Sequence, residues 1–400
     1  MATVIDGPWQ RAARGAGLLA ADGSAAATIF AQMSALAAQY GAINLGQGFP
    51  DEDGPAVVLE AAVAAITSGL NQYPPGPGTA VLREAIATHQ QRFYGLGLDP
   101  EREILVTAGA TEALAATLLA LVQPGDEVLT FEPFYDAYGA AIALAGGIHR
   151  SVRLRAPEFQ PDPEELRAAV SDRTRIILVN DPHNPTGTVF APEILTELVE
   201  LAIRHDALIV TDEVYEHLRF SGPHRPIATL PGAAERTISI SSGGKTFNTT
   251  GWKVGWVSAP PPLITAIAAV KQFLTYVNAG PFQPAIAAGL ALPDEFFTTI
   301  AQRLAAKRDL LSDGLCRAGF EVFPSQGSYF LIADAAPLGY KDAVRFCHEL
   351  PRLAGVVAIP VSAFCKEPDG GMDSLVRFAF CKRTEVLEQA TRQLAQALAA

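Results

Sequence analysis

The chain has 400 residues, 49% of them hydrophobic and 18% charged, with 34 Gly and 29 Pro, enough apolar material for a large core and not the composition of a disordered chain. Thirty Lys and Arg against 42 Asp and Glu leave a formal net charge of −12, which repels phosphate backbones and anionic lipid, so neither nucleic acid nor a membrane is an expected partner. No run of about 18 apolar residues escapes interruption, and residues 1–10 lack a basic segment leading into an apolar one, so a cytoplasmic protein without span or secretory signal is expected.

Residues 1–40 are Ala-rich, and Phe30, Met33, Leu36 and Tyr40 stand at helical spacing, which predicts an arm leading into a helix over 28–40. From Glu103 onward, apolar runs at 104–107, 127–131, 175–179, 207–211 and 237–241 alternate with longer amphipathic segments. Such strands, separated by helices, predict a largely parallel sheet buried on both faces. After Pro293 the pattern changes to a helix at 294–318, short strands near 320–323, 328–332 and 375–380, and a last helix from Arg383. The expectation is α/β: a large domain over 49–293 and a smaller α+β domain made of 294–400 with 1–48. No repeat or low-complexity linker separates them, so they should pack directly. Cys316, Cys347, Cys365 and Cys381 are too widely spaced for a zinc site and read as buried thiols in a reducing compartment, with no metal expected.

In such a sheet the ligand crevice lies at the carboxyl ends of the strands. There, a turn at Gly109, Ala110 and Thr111 leads into a helix expected over 113–122, offering free N–H groups and a positive dipole end that suit a phosphate. Asn180 and Asn184 stand in a Pro-rich loop with side-chain amides for a phenolic oxygen or a carboxylate. Asp212 ends a very apolar strand, so a cation is expected to face it. Lys245 follows Ser242 and two glycines, with Lys253 eight positions on; among apolar walls and other cations its pKa should fall, as a Schiff-base nucleophile requires.

The order of these pieces is more specific than any one of them. Asn44-Leu-Gly-Gln-Gly-Phe-Pro50, Gln72-Tyr73 before Pro74-Pro-Gly-Pro-Gly78, the turn at 109–111, 180–187, 212–215, 242–245, Gly251-Trp-Lys253 and Val376-Arg-Phe378 together resemble the class I and II pyridoxal-phosphate aminotransferases of fold type I. Within that group, 71–78 and 275–284 are most similar to the actinobacterial N-succinyldiaminopimelate aminotransferases. The resemblance implies pyridoxal 5′-phosphate as cofactor and a homodimer with shared sites. It also implies transfer of an amino group from N-succinyl-LL-2,6-diaminopimelate to 2-oxoglutarate, in lysine synthesis. A kynurenine-, glutamine- or methionine-type enzyme with cysteine-conjugate β-lyase side activity is the alternative.

By the same resemblance, Lys245 bonds the cofactor aldehyde and later carries the substrate proton. Asp212 pairs with the ring nitrogen, Tyr215 and Asn184 meet the ring hydroxyl oxygen, and Tyr135 stacks on the ring. The phosphate falls to Ala110 and Thr111 in the Gly109 turn, to Ser242 and Lys253, and to Tyr73 of the partner subunit. Arg377 grips the substrate carboxylate with Asn184 and the backbone near Gly46. Three positions depart from the family pattern: Asp181 is acidic beside the cofactor or turned to solvent, Gly243 loosens the lysine loop, and Thr28 and Ile29 stand where kynurenine-type enzymes place a Trp. A transcription regulator of this fold would need a basic DNA-binding module, whereas 1–40 carries only Arg11 and Arg14 as cations. A nicotinamide dehydrogenase would need a strand followed by GxGxxG.

Overall fold

The computed structural model describes residues 7–366 and 371–398, so the first part of the 1–10 reading lies outside the described residues. Seven strands form the main sheet, in the spatial order Ile104–Ala108, Val254–Ser258, Thr237–Ser242, Leu208–Asp212, Thr174–Asn180, Glu127–Glu132 and Ile148–Arg153. All neighbours pair in parallel except Val254–Ser258, which is antiparallel to both of its partners. The continuous apolar runs have a physical cause visible in one strand. Ile176 and Leu178 enter the core beneath the Gly109–Leu121 helix, whereas Ile177 and Val179 enter the core on the opposite face with Leu195 and Leu198.

Two strands of this sheet escaped the sequence reading. Ile148–Arg153 is an edge strand in which Val152 is buried and Ile148 is exposed, so its apolar signal is thin. Val254–Ser258 starts directly after Lys253 and has Gly255 among its five residues, which thins its strand signal. The helix after the first strand begins at Gly109, within the turn, rather than at Ala113.

At the other end of the chain, Ile359–Pro360, Leu375–Ala379, Phe330–Asp334 and Glu321–Val322 form an antiparallel sheet in that order. The helices Asp294–Arg317, Ala343–Ala354 and Thr384–Leu398 share a core with it. Met33 and Leu45 belong to that core, and Ile43–Asn44 pairs in parallel with Val356–Val357. The arm also reaches the main sheet's side. Gly15 on the helix Trp9–Gly15 lies so close to Gly139 that a Cβ added there would stand 2.4 Å from the Gly139 carbonyl oxygen.

Cys347 and Cys381 are buried as expected, but Cys365 is half-buried and Cys316 is exposed, because Cys316 falls on the outer face of the Asp294–Arg317 helix. Among the described residues no helix is long and apolar enough to cross a membrane.

Candidate active site

Strand ends and the loops that follow them converge on a cleft of about 790 Å³, counting the part open to solvent. Its walls hold Gly109, Ala110, Thr111, Tyr135, Asn184, Asp212, Tyr215, Ser242, Lys245 and Lys253, ten of the residues singled out by sequence. Gly46 and Arg377 connect to it through Asn184. Tyr73 does not join them in its own chain: it is 81% exposed and meets Tyr276 edge-on.

One end of the cleft is built for an anion. Gly109 sits at φ +73°, and a Cβ there would stand 3.2 Å from the Lys253 Cε and Nζ, so only glycine lets the ammonium lie against the helix start. Lys253 is itself held at φ +54°, with Asn278 Nδ2 donating to its carbonyl at 2.9 Å. The ammonium, the N–H groups of Ala110 and Thr111 and the Ser242 hydroxyl thus bring positive ends together, and Lys253 forms no ion pair among the described residues.

The floor is built for a cation. Asp212 Oδ2 accepts from Tyr138 Oη at 2.7 Å, and Oδ1 meets the Val214 N–H at 3.5 Å. Burial pushes its carboxyl above the usual carboxylate range, while the Tyr138 and Val214 bonds and the Lys245 charge pull it down. The cation expected opposite Asp212 is not supplied by this chain, since no ammonium or guanidinium forms an ion pair with it among the described residues. Asn180 braces the floor: its Nδ2 donates to the Asp212 carbonyl at 2.8 Å and its Oδ1 accepts from the Asn184 N–H at 2.7 Å. Its amide is therefore spent on the backbone.

Lys245 Nζ donates to Tyr329 Oη at 2.8 Å, and Tyr329 in turn donates to the Gly48 carbonyl. Burial lowers the amine to about 8; Cys381 and Asp212 oppose the drop, and Arg377 and Lys253 add to it. The expected fall is present, with desolvation rather than neighbouring cations as its main cause. Gly243 does not loosen this segment. A Cβ there would stand 2.6 Å from Ile286 Cδ1, so the space a larger side chain would fill is already taken.

Arg377 is 1% exposed and is held by three kinds of contact. Nη1 donates to Asn184 Oδ1 at 3.0 Å, Nη2 donates to the Gly46 carbonyl at 2.7 Å, and the Phe330 ring lies 4.0 Å from the guanidinium carbon. Nε is buried with no hydrogen-bond partner, and burial lowers the group to about 10. A fully buried guanidinium without a carboxylate partner is costly alone and well prepared for an anionic ligand. Phe30 lies 5.5 Å from the same carbon, so the arm does bring an aromatic ring here, next to Thr28, whose Oγ1 caps the Ile29–Tyr40 helix.

Asp181 turns away from solvent and does not line the cleft. It is 5% exposed, Oδ1 accepts from the Phe190 N–H at 3.0 Å, and burial raises its carboxyl. Tyr138, Tyr329, Phe330 and Asn180's bracing role were missed by sequence. Tyr329 and Phe330 lie in a segment read only as a strand, and nothing local marks a strand tyrosine as the partner of a lysine 84 positions away.

An anion cradle, a deep carboxylate lacking a cation, and a buried primary amine between them fit a phosphorylated pyridine aldehyde. Residues 40–394 match the sequence model of the family described as aminotransferase class I and II. The chain is 51% identical over 381 residues to a protein of Mycobacterium tuberculosis named probable N-succinyldiaminopimelate aminotransferase DapC, covering 92% of this chain and 96% of that one. It is 43% identical over 370 residues to a methionine aminotransferase of Escherichia coli, covering 92% and 95% of the two chains. The solved structure of the M. tuberculosis N-succinyldiaminopimelate aminotransferase is similar with a TM-score of 0.91 at 51% identity, over 93% of this chain and 97% of that one.

Proposed function

We propose that this chain, which belongs to the class I and II aminotransferases and so works with pyridoxal 5′-phosphate, moves an amino group between N-succinyl-LL-2,6-diaminopimelate and 2-oxoglutarate. Transfer between amino acids and 2-oxo acids follows from the family. The observation that carries the site is the cleft's charge pattern, with Lys245 between a cation-seeking Asp212 and an anion-seeking helix start. Likeness over nearly the whole chain to the M. tuberculosis protein supports the particular donor.

Bound in the cleft, the cofactor supplies an aldehyde that takes up the amino group and a ring that accepts the electron pair left at the substrate α-carbon. Lys245 would hold it through Nζ, and the same amine is placed to move the substrate α-proton. Asp212 would hold the ring nitrogen protonated, its carboxylate oriented by Tyr138. Tyr215 and Asn184 would hold the ring hydroxyl oxygen, and Tyr135 would cover the ring. The N–H groups of Ala110 and Thr111, the Ser242 hydroxyl and Lys253 hold the phosphate. Arg377 takes the substrate α-carboxylate, its fork set by Asn184 and Gly46 while Phe330 keeps water off one face.

The larger domain spans 49–293 and the smaller one joins 1–48 to 294–400, with the cleft's Arg377 carried by the latter. The working unit is a cytoplasmic homodimer. Supporting this, Tyr73 stands on the surface with Leu70, Phe273 and Tyr276, of which Phe273 is 87% exposed. Mixing Tyr73→Phe with Lys245→Ala chains should regenerate sites that neither parent has; no rescue after confirmed subunit exchange would mean self-contained sites.

A donor panel against 2-oxoglutarate tests the substrate, with N-succinyl-LL-2,6-diaminopimelate expected to give the highest kcat/KM. If methionine, kynurenine or glutamine exceeds it by about tenfold, ~1.4 kcal/mol in transition-state binding, the donor assignment fails and the family assignment stands. Pyruvate and ammonia released from a β-substituted substrate without a 2-oxo acid would reveal the lyase side activity.

A further inference from the structure

Away from the cleft, His89 on the Ala80–Tyr94 helix meets Glu216 and His217, which directly follow the segment holding Asp212 and Tyr215. One ligand atom from each lies within 4.8 Å of the others. His89 and Glu216 are 1% and 5% exposed. The Nε2 atoms of His89 and His217 stand 2.7 Å apart, so the two imidazoles aim the same ring atom at one point. Ser241 Oγ donates to Glu216 Oε1 at 2.7 Å and orients the carboxylate, and the buried Tyr94 hydroxyl is a further polar neighbour.

Two basic groups act on the cluster, Arg92 on both imidazoles and His224 on His217. Phe93 and Phe297 pack against His89 with ring centroids 4.7 and 5.7 Å away, which keeps the local dielectric low. Arg92, the guanidinium acting on both imidazoles, is drawn off to Asp294 and to the Leu292 carbonyl. Glu213 is engaged by His224 at 3.2 Å, so the neighbouring carboxylate needs nothing from this cluster. A separate cavity of about 880 Å³, counting its open part, is lined by Tyr94, Glu216, His217 and His224 and gives access from the surface.

We propose that His89, Glu216 and His217 form a structural site for a divalent transition metal, with Zn²⁺ the best match, that ties the Ala80–Tyr94 helix to the segment carrying Asp212 and Tyr215. Two imidazoles and a carboxylate, completed by a water from the cavity, make a tetrahedral N and O set suited to zinc. Zn–N bonds of about 2.0–2.1 Å set tetrahedral nitrogens about 3.3 Å apart. The 2.7 Å contact therefore opens slightly on binding, which a small imidazole rotation provides. The cysteine spacing that argued against a metal is silent on this cluster, whose histidines are 128 positions apart.

Holoenzyme stripped with a chelator and dialysed is the material for the test, with Zn²⁺ and Co²⁺ as probes. One metal per chain by elemental analysis is expected, together with the visible d–d bands of tetrahedral cobalt and a Tm that rises on metal addition. Glu216→Gln and His217→Gln should each weaken Zn²⁺ binding by about tenfold or more, whereas His348→Gln, on the exposed side of the Ala343–Ala354 helix, should not. Cofactor absorbance reports that each variant is folded, and if Glu216→Gln fails that check, His217→Gln at the cavity wall decides. Less than one metal per chain, no cobalt bands, or equal binding by the folded variants overturns the site and leaves an N–H···N hydrogen bond between two neutral histidines.

Discussion

Glu127 opens the strand Glu127–Glu132 and Asp212 closes the strand Leu208–Asp212, two places along the same sheet and at its opposite ends. Glu127 Oε1 receives Arg150 at 2.9 Å and Arg173 at 2.7 Å, and Oε2 receives Ser171 at 2.8 Å. Burial alone would raise this carboxyl, but those bonds and charges hold it below the usual range. Asp212 has two donors and no ion-paired cation among the described residues, only the Lys245 charge at a distance, so burial prevails and its carboxyl stays raised. An acid that serves the fold is neutralised by the chain itself; one that serves a ligand is left unanswered, at a desolvation cost of several kcal/mol that the ligand's opposite charge offsets.

The largest test of this contrast is Lys245→Ala. Only a primary amine can bond an aldehyde, so turnover should fall by more than about 10³-fold and the absorbance of covalently held cofactor should vanish. A wild-type protein that stays colourless when given pyridoxal phosphate would break the reading outright. Next is Asp212→Asn, where the proton-transfer rate in single-turnover mixing should drop by about 10²-fold or more with little change in substrate binding, because an amide cannot hold the ring nitrogen protonated. An unchanged rate would place Asp212 away from that nitrogen.

A smaller, graded effect belongs to pH. With the Lys245 amine lowered to about 8, it is protonated and unreactive below that value and neutral above it. Capture of pyridoxal phosphate by apoenzyme should then rise about tenfold per pH unit up to about 8 and level off. A rise continuing toward 10 would show a water-like amine. Smallest, on activity, is Glu127→Gln: kcat/KM should be unchanged, while stability falls by about 1–2 kcal/mol, a modest figure because Arg150 and Arg173 are half-exposed. Since the folded carboxyl is held low, that contribution is present above the ordinary carboxylate range and lost as pH falls through the lowered value, which denaturant midpoints at several pH values would reveal. An Asp212-like loss of activity in Glu127→Gln would erase the distinction between the two acids.

Much of the cleft is legible in the amino-acid sequence. Residues ending apolar strands are marked by an abrupt change of polarity, so Gly109, Asn184, Asp212 and Lys245 stand out against the Val, Ile and Leu that precede them. Tyr138 and Tyr329 do not. Tyr138 lies on a helix and Tyr329 beside a strand, and an aromatic residue in either place reads as core, which by burial they also are. Asp181 shows the converse: its sequence neighbours place it near the cofactor, but the strand end turns it to the other side, against the Phe190 N–H.

The alternation of apolar runs with helical segments determined a largely parallel α/β sheet, and with it the end of the sheet where the polar residues gather, because side-chain period and burial are local properties of the chain. Partnership across the chain was decided only by the tertiary structure. Arg377 on Asn184 and Gly46, Lys245 on Tyr329, Lys253 against Gly109, and His89 against His217 join residues far apart in sequence. No local pattern encodes such pairs, because the distance between two side chains depends on how whole elements pack and on the register in which strands meet.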